Sequence, residues 1–226
     1  MKPTARRLAA GAACAALLGA GAAVSQEPQE PDVRHRTCIA AIAEDAETAF
    51  EEALAWRHQA GGWPAEHCVS LALIALGQAE DGADRLRAAA EGAITATDRS
   101  RAIMFGQAGD AYLEAGMSEA AMAAFSRGID FDARDPGLRR GRAEAALTRE
   151  DHEAAETYAG EAIAADPEDA EALRLRGEAR LAQGDLDGAE ADMRAARAAA
   201  PDNIEVLLLR GRINEARRLG TIVTLD

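Results

Sequence analysis

The stretch AEALRLRGEARLAQGDLDGAEADMRAARAAAPDN, residues 170–203, decides the fold because its pattern recurs along the chain with a 34-residue period. Full copies span Ala102–Asp135, Pro136–Asp169 and Ala170–Asn203, and a half copy begins at Ile204. Small residues recur at fixed places, which indicates that two helices approach closely there. They form the columns Gly109, Ala143, Gly177 and Gly211; Ala121, Ala155 and Ala189; and Gly128, Ala162 and Ala196.

Each copy is predicted to be two antiparallel helices joined by a tight turn. Apolar residues recur at steps of three and four on both sides of a short break. The breaks are Glu114-Ala115-Gly116, Arg149-Glu150-Asp151 and Gln183-Gly184-Asp185. One helical hairpin cannot bury its apolar face alone, so neighbouring hairpins must stack and share a continuous core. The pattern therefore predicts an all-α solenoid, a fold that is typically used for binding.

These columns resemble those of the tetratricopeptide repeat family, most closely in residues 170–203. The matching residues are Leu173, Gly177, Leu181, Gly184, Asp185, Ala189, Met193, Ala196 and Pro201. Departures occur in the second and third copies, where bulky or aromatic residues of the family pattern are replaced by Arg139, Ala146, Ala159 and Arg180. The resemblance implies a right-handed α-solenoid of stacked helix-turn-helix repeats that binds a protein or peptide on its concave face.

The resemblance also indicates where such a site would lie, since the first helix of each repeat lines the concave face in this family. Positions separated by four and then three residues share one face of a helix. We expect a groove with an apolar rail, an acidic row, a basic pair and a mixed C-terminal end. In that order, these are Leu113, Leu147 and Leu181; Asp110, Glu144 and Glu178; Arg140 and Arg174; and Leu208 and Arg212.

Two interpretations of these charges stay open at the level of sequence. The mixed lining suits an extended peptide or a short helix that carries both charges, and two arginines one repeat apart suit a carboxylate. Alternatively, Arg140 with Glu144 and Arg174 with Glu178 are ion pairs within one helix, each worth about 0.2–0.5 kcal/mol.

Residues 1–25 are predicted to be a signal peptide that is removed from the mature protein. Lys2, Arg6 and Arg7 form a positive segment, residues 8–24 are apolar and rich in alanine and glycine, and small residues precede Gln26. An apolar stretch of about 17 residues is marginal for spanning a bilayer. We therefore expect a periplasmic protein whose mature chain has no integral membrane span.

The chain is strongly acidic. Its formal net charge at pH 7 is −14, and loss of the signal peptide, which carries three positive and no negative side chains, changes the charge to −17. An acidic surface disfavours nucleic acid and anionic lipid and favours neutral or basic partners. The same charge also keeps a helical protein soluble, so composition alone identifies no partner.

Two cysteines, Cys38 and Cys68, would be left in the mature chain. An even number in an oxidising compartment favours a disulfide, and closing a loop of about 30 residues contributes roughly 3–4 kcal/mol to stability. Two buried thiols are the alternative. A metal site at Glu66-His67-Cys68 is disfavoured because adjacent helical side chains point in different directions, whereas zinc needs four convergent ligands.

The remaining segments flank the repeats of residues 102–203. Residues 26–35 contain two prolines among polar residues and are expected to be a disordered leader. Residues 36–101 are predicted to form a divergent helical cap that contains a degenerate repeat and covers the N-terminal end of the stack. Residues 204–226 supply a capping helix and a short apolar tail.

No sequence pattern points to catalysis. The four histidines lie in unrelated segments, and we find no glycine-rich phosphate loop, nucleophile elbow or paired metal-ligand motif. We expect no catalytic residue, cofactor or metal, and the sequence favours a non-catalytic periplasmic adaptor or scaffold. The alternative is a structural lipoprotein subunit of an envelope assembly or secretion complex. It requires an acylated Cys14, although Gly11-Ala12-Ala13 lacks the large aliphatic residue of a lipoprotein signal.

Overall fold

The computed structural model describes residues 31–220, which fold into eleven helices and no strand. The expected signal peptide and the apolar tail lie outside this part of the chain. Successive helices pack against each other, and alternate helices also meet in the pairs α5 with α7, α7 with α9 and α9 with α11. The predicted all-α solenoid is therefore confirmed. The helices are α1 (Pro31–Ile42), α2 (Ala46–His58), α3 (Gly62–Ala75), α4 (Ala79–Gly92), α5 (Asp98–Glu114), α6 (Ser118–Phe131), α7 (Pro136–Thr148), α8 (His152–Ala165), α9 (Ala170–Gln183), α10 (Leu186–Ala199) and α11 (Ile204–Leu219).

The 34-residue period also positions the caps that begin α7, α9 and α11. Asp135, Asp169 and Asn203 each accept backbone N–H hydrogen bonds from the first turn of the helix that follows. A cap of this kind satisfies donors that have no partner inside the helix, and its loss costs about 1 kcal/mol. The second and third full repeats and the C-terminal half copy therefore each have a capping residue that starts their first helix.

A left-handed residue at each break reverses the chain between the two helices of a repeat. Gly116 and Gly184 have φ values of 74° and 86°, and Glu150 takes the equivalent place with a φ of 61°. Glycine adopts this conformation without strain, whereas a side chain there has a steric cost of about 1–2 kcal/mol. The second repeat thus keeps the backbone of the turn without the residue that favours it.

The ring of Phe125 in α6 packs between α5 and α7, where two glycines leave room for it. A Cβ atom at Gly109 would lie 2.6 Å from the Phe125 ring, and one at Gly141 would lie closer still. The ring is buried with Phe105 and Tyr112 in the largest core cluster. Phe125 therefore sets how closely the first helices of two neighbouring repeats approach each other.

The column that contains Gly109, Gly177 and Gly211 has different surroundings at its two ends. A Cβ atom at Gly177 would lie 3.0 Å from Leu209, but one at Gly211 would meet nothing within 4 Å. No second helix covers this face of α11 among the described residues, and Leu208 nearby is 55% exposed. Close packing thus explains the glycine in the inner repeats and not at position 211.

The N-terminal cap begins earlier than the sequence pattern indicates. Helix α1 starts at Pro31, so residues 31–35 belong to a helix rather than to the expected disordered leader. Cys38 of α1 and Cys68 of α3 form a disulfide with Cα atoms 6.3 Å apart. This bond fastens α1 to the first hairpin of the stack.

Buried charges cross-link the C-terminal repeats. Asp192 of α10 is almost completely buried and accepts two hydrogen bonds from Arg176, at 2.7 and 2.9 Å, and one from Arg180 at 2.8 Å. Arg180 also donates to Glu156 of α8 at 2.9 Å. Helices α8, α9 and α10 are therefore joined through one set of paired charges, which satisfies Asp192 where water cannot.

Within residues 31–220, the structure contains no helix that is both long and apolar enough to cross a membrane.

The packing of Phe125 predicts a large effect from a single methyl group. We expect Gly141→Ala to lower the free energy of unfolding by about 1–3 kcal/mol, because the new Cβ atom overlaps the ring. Urea denaturation measures this loss. In a Phe125→Leu background the same substitution should cost clearly less.

Gly160→Ala is the matched control, since a Cβ atom at this helical position meets nothing within 4 Å. Helix propensity alone then predicts a gain of up to about 1 kcal/mol. Equal costs for Gly141→Ala with and without Phe125 would contradict the packing argument.

Candidate functional site

A groove runs between α5 and α7, the first helices of the first two full repeats, and has a volume of about 330 Å³. Its lining combines small, apolar and charged residues. Those of α5 are Ala102, Ile103, Gly106, Gln107 and Asp110; those at the start and along the face of α7 are Asp135, Gly137, Leu138, Arg140, Gly141 and Glu144; and Phe125 comes from α6.

The floor of the groove is built from small residues over a rigid core. Gly106 is half-buried and Gly141 is buried, and Leu138 and Phe125 pack closely against them. Ile103 lies at the edge with 44% of its surface exposed. A ligand in the groove would therefore contact one apolar edge residue and the polar side chains described next.

Arg140 is held in place by the residue that caps α9, the first helix of the next repeat. Its Nη1 donates to Asp169 Oδ2 at 2.7 Å, and the other carboxylate oxygen of Asp169 caps α9. The second charge at the start of α7, Asp135, is also engaged, because it accepts from the backbone N–H of Gly137 at 2.8 Å. Both groups thus have protein partners before any ligand binds.

Asp110 and Glu144 face the groove without such partners. Neither carboxylate forms a hydrogen bond or a close ion pair with another residue of the described chain. Partial burial raises the pKa of Asp110, and the positive charge of Arg140 opposes this effect. Partial burial also raises the pKa of Glu144; Arg174 and Arg140 oppose this effect, while Glu171 and Asp110 add to it. Both residues remain exposed to solvent, so the loss of hydration is only partial.

A hydrogen-bonded chain of three residues positions Gln107 at the groove. Oε1 of Gln107 only accepts, so Nε2–H of His67 donates to it at 2.6 Å. Nδ1 of His67 is then the acceptor for Nε2–H of His35, at 2.8 Å. His35 lies on α1 and its ring meets the edge of Trp63 at 5.5 Å. The N-terminal cap thus fixes one polar wall of the groove.

Most of the predicted groove residues lie in two environments, the groove and the hydrophobic core. Asp110, Arg140 and Glu144 line the groove between α5 and α7. Leu181 does not belong to an exposed apolar rail, because it is only 1% exposed and packs in the C-terminal core. Leu113 and Leu147 are half-buried and pack against core clusters as well. The predicted exposed rail is therefore wrong at Leu181, and Leu113 and Leu147 expose only part of their surface.

Arg174 is also part of the framework rather than a free binding group. It is 8% exposed, and its guanidinium donates to Glu171 at 3.0 Å and to Glu178 at 2.7 Å. The interpretation as an ion pair within one helix therefore describes Arg174 with Glu178. A carboxylate at position 174 would stand beside two others, so substituting this residue perturbs stability before it tests binding.

The C-terminal end of the predicted groove is more open. Leu208 is exposed, and Arg212 Nη1 lies 3.5 Å from Glu178 Oε1. These residues extend the surface beyond Arg174 without forming part of the groove between α5 and α7.

Most lining residues were missed by the sequence pattern, among them Ile103 and Gln107. These two precede Asp110 by seven and three residues and therefore share its helical face. Extending the predicted acidic row toward the N-terminus of α5 would have found them. Among residues 31–220, no group of three or more His, Cys, Asp or Glu side chains is placed to hold a metal ion.

Comparison with protein families identifies the repeats. Residues 140–204 match a tetratricopeptide repeat family model, so the resemblance in sequence is confirmed. No curated protein matches the chain.

Solved structures share the fold. The first tetratricopeptide repeat domain of Spaghetti (RPAP3), bound to the HSP90 peptide SRMEEVD, is 26% identical, covers 54% of this chain and 97% of its own, and has a TM-score of 0.51. The second such domain of human RPAP3, in complex with the HSP70 peptide SGPTIEEVD, is 28% identical, with coverages of 52% and 98% and a TM-score of 0.50. Pseudomonas aeruginosa pilF is 16% identical, covers 82% of this chain and 83% of its own, and has a TM-score of 0.63, which shows similarity of fold.

The burial of His67 predicts that stability depends on pH. Burial lowers the pKa of His67 below its ordinary value of 6.5, although the hydrogen bond to Gln107 opposes this effect. Unfolded His67 gains a proton near pH 6.5, and folded His67 does so only at lower pH. The stability that the protein gains by burying neutral His67 is therefore complete above pH 6.5, and it is lost as the pH falls toward the pKa of His67 in the folded protein.

Between pH 7.5 and 5.5 we expect Tm to fall by about 2–4 °C, the change that roughly 1 kcal/mol produces in a chain of this size. The His67→Gln variant should show a smaller decrease in the same thermal melts. A decrease of equal size in the variant would exclude His67 as its source.

Proposed function

We propose that this tetratricopeptide repeat protein is a non-catalytic adaptor of the bacterial periplasm that binds a protein segment in the groove between α5 and α7. The observation that carries the proposal is the groove itself. Its Asp110 and Glu144 carboxylates have no hydrogen-bond or close ion-pair partner within residues 31–220, and Ile103 at its edge is exposed. The tetratricopeptide repeat fold typically serves protein interaction. Its occurrence in the RPAP3 domains with bound peptides supports a peptide as the ligand.

The shape and chemistry of the groove favour an extended segment over a compact small molecule. Asp110 and Glu144 lie one repeat apart, so the surface offers similar groups at successive places along the stack. Gln107 has a side-chain amide, a group that hydrogen-bonds readily to a peptide backbone.

The ligand should differ from the peptides in the RPAP3 complexes, which contain two glutamates and a terminal aspartate in the sequence EEVD. In this chain the uncommitted charges of the groove are negative, and Arg140 is already paired with Asp169. An acidic segment would meet repulsion from Asp110 and Glu144. The proposed ligand is therefore neutral or basic.

Location in the periplasm is supported by two features of the chain. Residues 1–25 have the composition of a signal peptide, and Cys38 and Cys68 are paired in the structure. A disulfide persists in an oxidising compartment and is rare in a reducing cytosol.

Intact-mass measurement of the protein isolated from the cell envelope tests this location. We expect a chain that begins at Gln26 and is lighter by two hydrogens than the same chain after reduction. A chain that retains residues 1–25, or one with two free thiols, would contradict the proposed export and disulfide. A chain that begins at an acylated Cys14 would instead show the lipoprotein alternative.

Site-specific photo-crosslinking tests the groove directly. A p-benzoylphenylalanine residue in place of Ile103, at the edge of the groove, should capture a discrete partner in intact cells. The matched control replaces Ile94, which is 89% exposed and does not line the groove. We expect the captured partner to be absent from the control, because position 94 does not contact the bound segment.

The peptide captured at position 103 is identified by mass spectrometry of the digested adduct. Equal capture of the same proteins at both positions would show nonspecific contact and would overturn the groove as the binding site.

A further inference from the structure

We infer that the groove selects a basic segment and binds a lysine or arginine side chain of that segment with Asp110 and Glu144 as its counter-ions. The inference rests on the proposed function, since it specifies which chemistry the bound segment presents to the groove between α5 and α7.

The other charges of the groove already have partners within the protein. Arg140 is paired with Asp169 at 2.7 Å, and Asp135 accepts hydrogen bonds from the N-terminal turn of α7. Asp110 and Glu144 line the same groove and make no hydrogen bond or close ion pair within residues 31–220. The unbalanced charge that a ligand meets is therefore negative and comes from these two carboxylates.

Both carboxylates remain exposed to solvent, but the groove removes part of their hydration, and this partial burial raises the pKa of each. Each carboxylate also lies within the field of the other, since Asp110 contributes to the raised pKa of Glu144. A cationic group placed in the groove would replace the missing hydration with an ion pair and reduce the repulsion between the two acids.

The number of available ligands favours a basic side chain over a metal ion as the occupant of the groove. A bound divalent cation prefers several oxygen ligands, but no group of three or more candidate ligands is assembled among the described residues. A lysine or arginine needs fewer partners, because its long apolar stem can pack on Ile103 and on the backbone at Gly106 while the charged end reaches the carboxylates. The groove provides these contacts together.

The repeat geometry supports the same choice. Asp110 and Glu144 occupy equivalent positions on α5 and α7, one repeat apart. In the following repeat the equivalent residue, Glu178, is already paired with Arg174 and lies 3.5 Å from Arg212. The unpaired acids of this row are therefore confined to the first two full repeats, where the groove is.

Selection from a displayed library of random heptapeptides tests the inference with the purified protein. Peptides that compete with crosslinking at position 103 should be enriched in lysine and arginine over the starting library. For one such peptide, the double variant Asp110→Asn with Glu144→Gln should weaken binding at least tenfold. These substitutions keep the size of both side chains and change exposed carboxylates that form no hydrogen bond within residues 31–220, so the variant should fold normally.

The matched control is Asp81→Asn with Glu153→Gln, which changes the net charge equally. Asp81 lies on α4 and Glu153 on α8, and both are exposed outside the groove. We expect its affinity to stay within twofold of the parent protein. Circular dichroism and thermal melts of both double variants verify that the fold is retained.

A reversed variant, Asp110→Lys with Glu144→Lys, provides a second readout and should select acidic peptides. Groove-binding peptides without basic enrichment, or an affinity that Asp110→Asn with Glu144→Gln leaves unchanged, would overturn the cation preference while leaving peptide binding in place. Failure to select any peptide that competes at position 103 would overturn the proposed function and this inference together.

Discussion

The structure depends on the insertion of the Phe125 ring between α5 and α7. A helical hairpin cannot bury its own apolar face, so each repeat needs its neighbour. Gly109 and Gly141 lack the Cβ atoms that would overlap the ring, and they therefore let the second helix of one repeat pack between two first helices. Because the ring fixes the separation of α5 and α7, it also fixes the width of the groove that they enclose.

Polar contacts hold the side chains that form the walls of this groove. Asp169, which caps the first helix of the following repeat, holds Arg140, and His67 of the N-terminal cap holds Gln107. The walls of the groove thus depend on segments on both sides of it along the stack. The carboxylates of Asp110 and Glu144 form no hydrogen bond or close ion pair within residues 31–220, and their charges give the groove its negative character.

The repeat architecture was predictable because its signals are local and periodic. Small residues at intervals of 34, the breaks at Gly116 and Gly184, and capping residues such as Asp169 act within one hairpin or between adjacent ones. Their positions in the sequence therefore suffice to define helices and turns. The open face at Gly211 shows the limit of this reasoning, because the same residue type recurs there without the packing that explains it elsewhere.

The candidate site was predictable only in part. The spacing of Asp110 and Glu144 placed them on the concave face, but the same spacing could not show that Leu181 and Arg174 turn toward the core and toward neighbouring acids. That distinction depends on the rotation of each first helix against its second helix. The chain from His35 through His67 to Gln107 joins residues that are far apart in sequence and has no periodic signal. Ile103 and Gln107, in contrast, lie on the same helical face as Asp110 and could have been inferred by extending the acidic row along α5.

The most direct test of the central claim is amide NMR of the protein, labelled with ¹⁵N, during titration with a peptide recovered by crosslinking at position 103. The account predicts that chemical shifts change most along the facing sides of α5 and α7, from Ile103 to Asp110 and from Arg140 to Glu144. Changes confined to the exposed face of α11 near Leu208, or spread over the outer surface of the second helices, would contradict it.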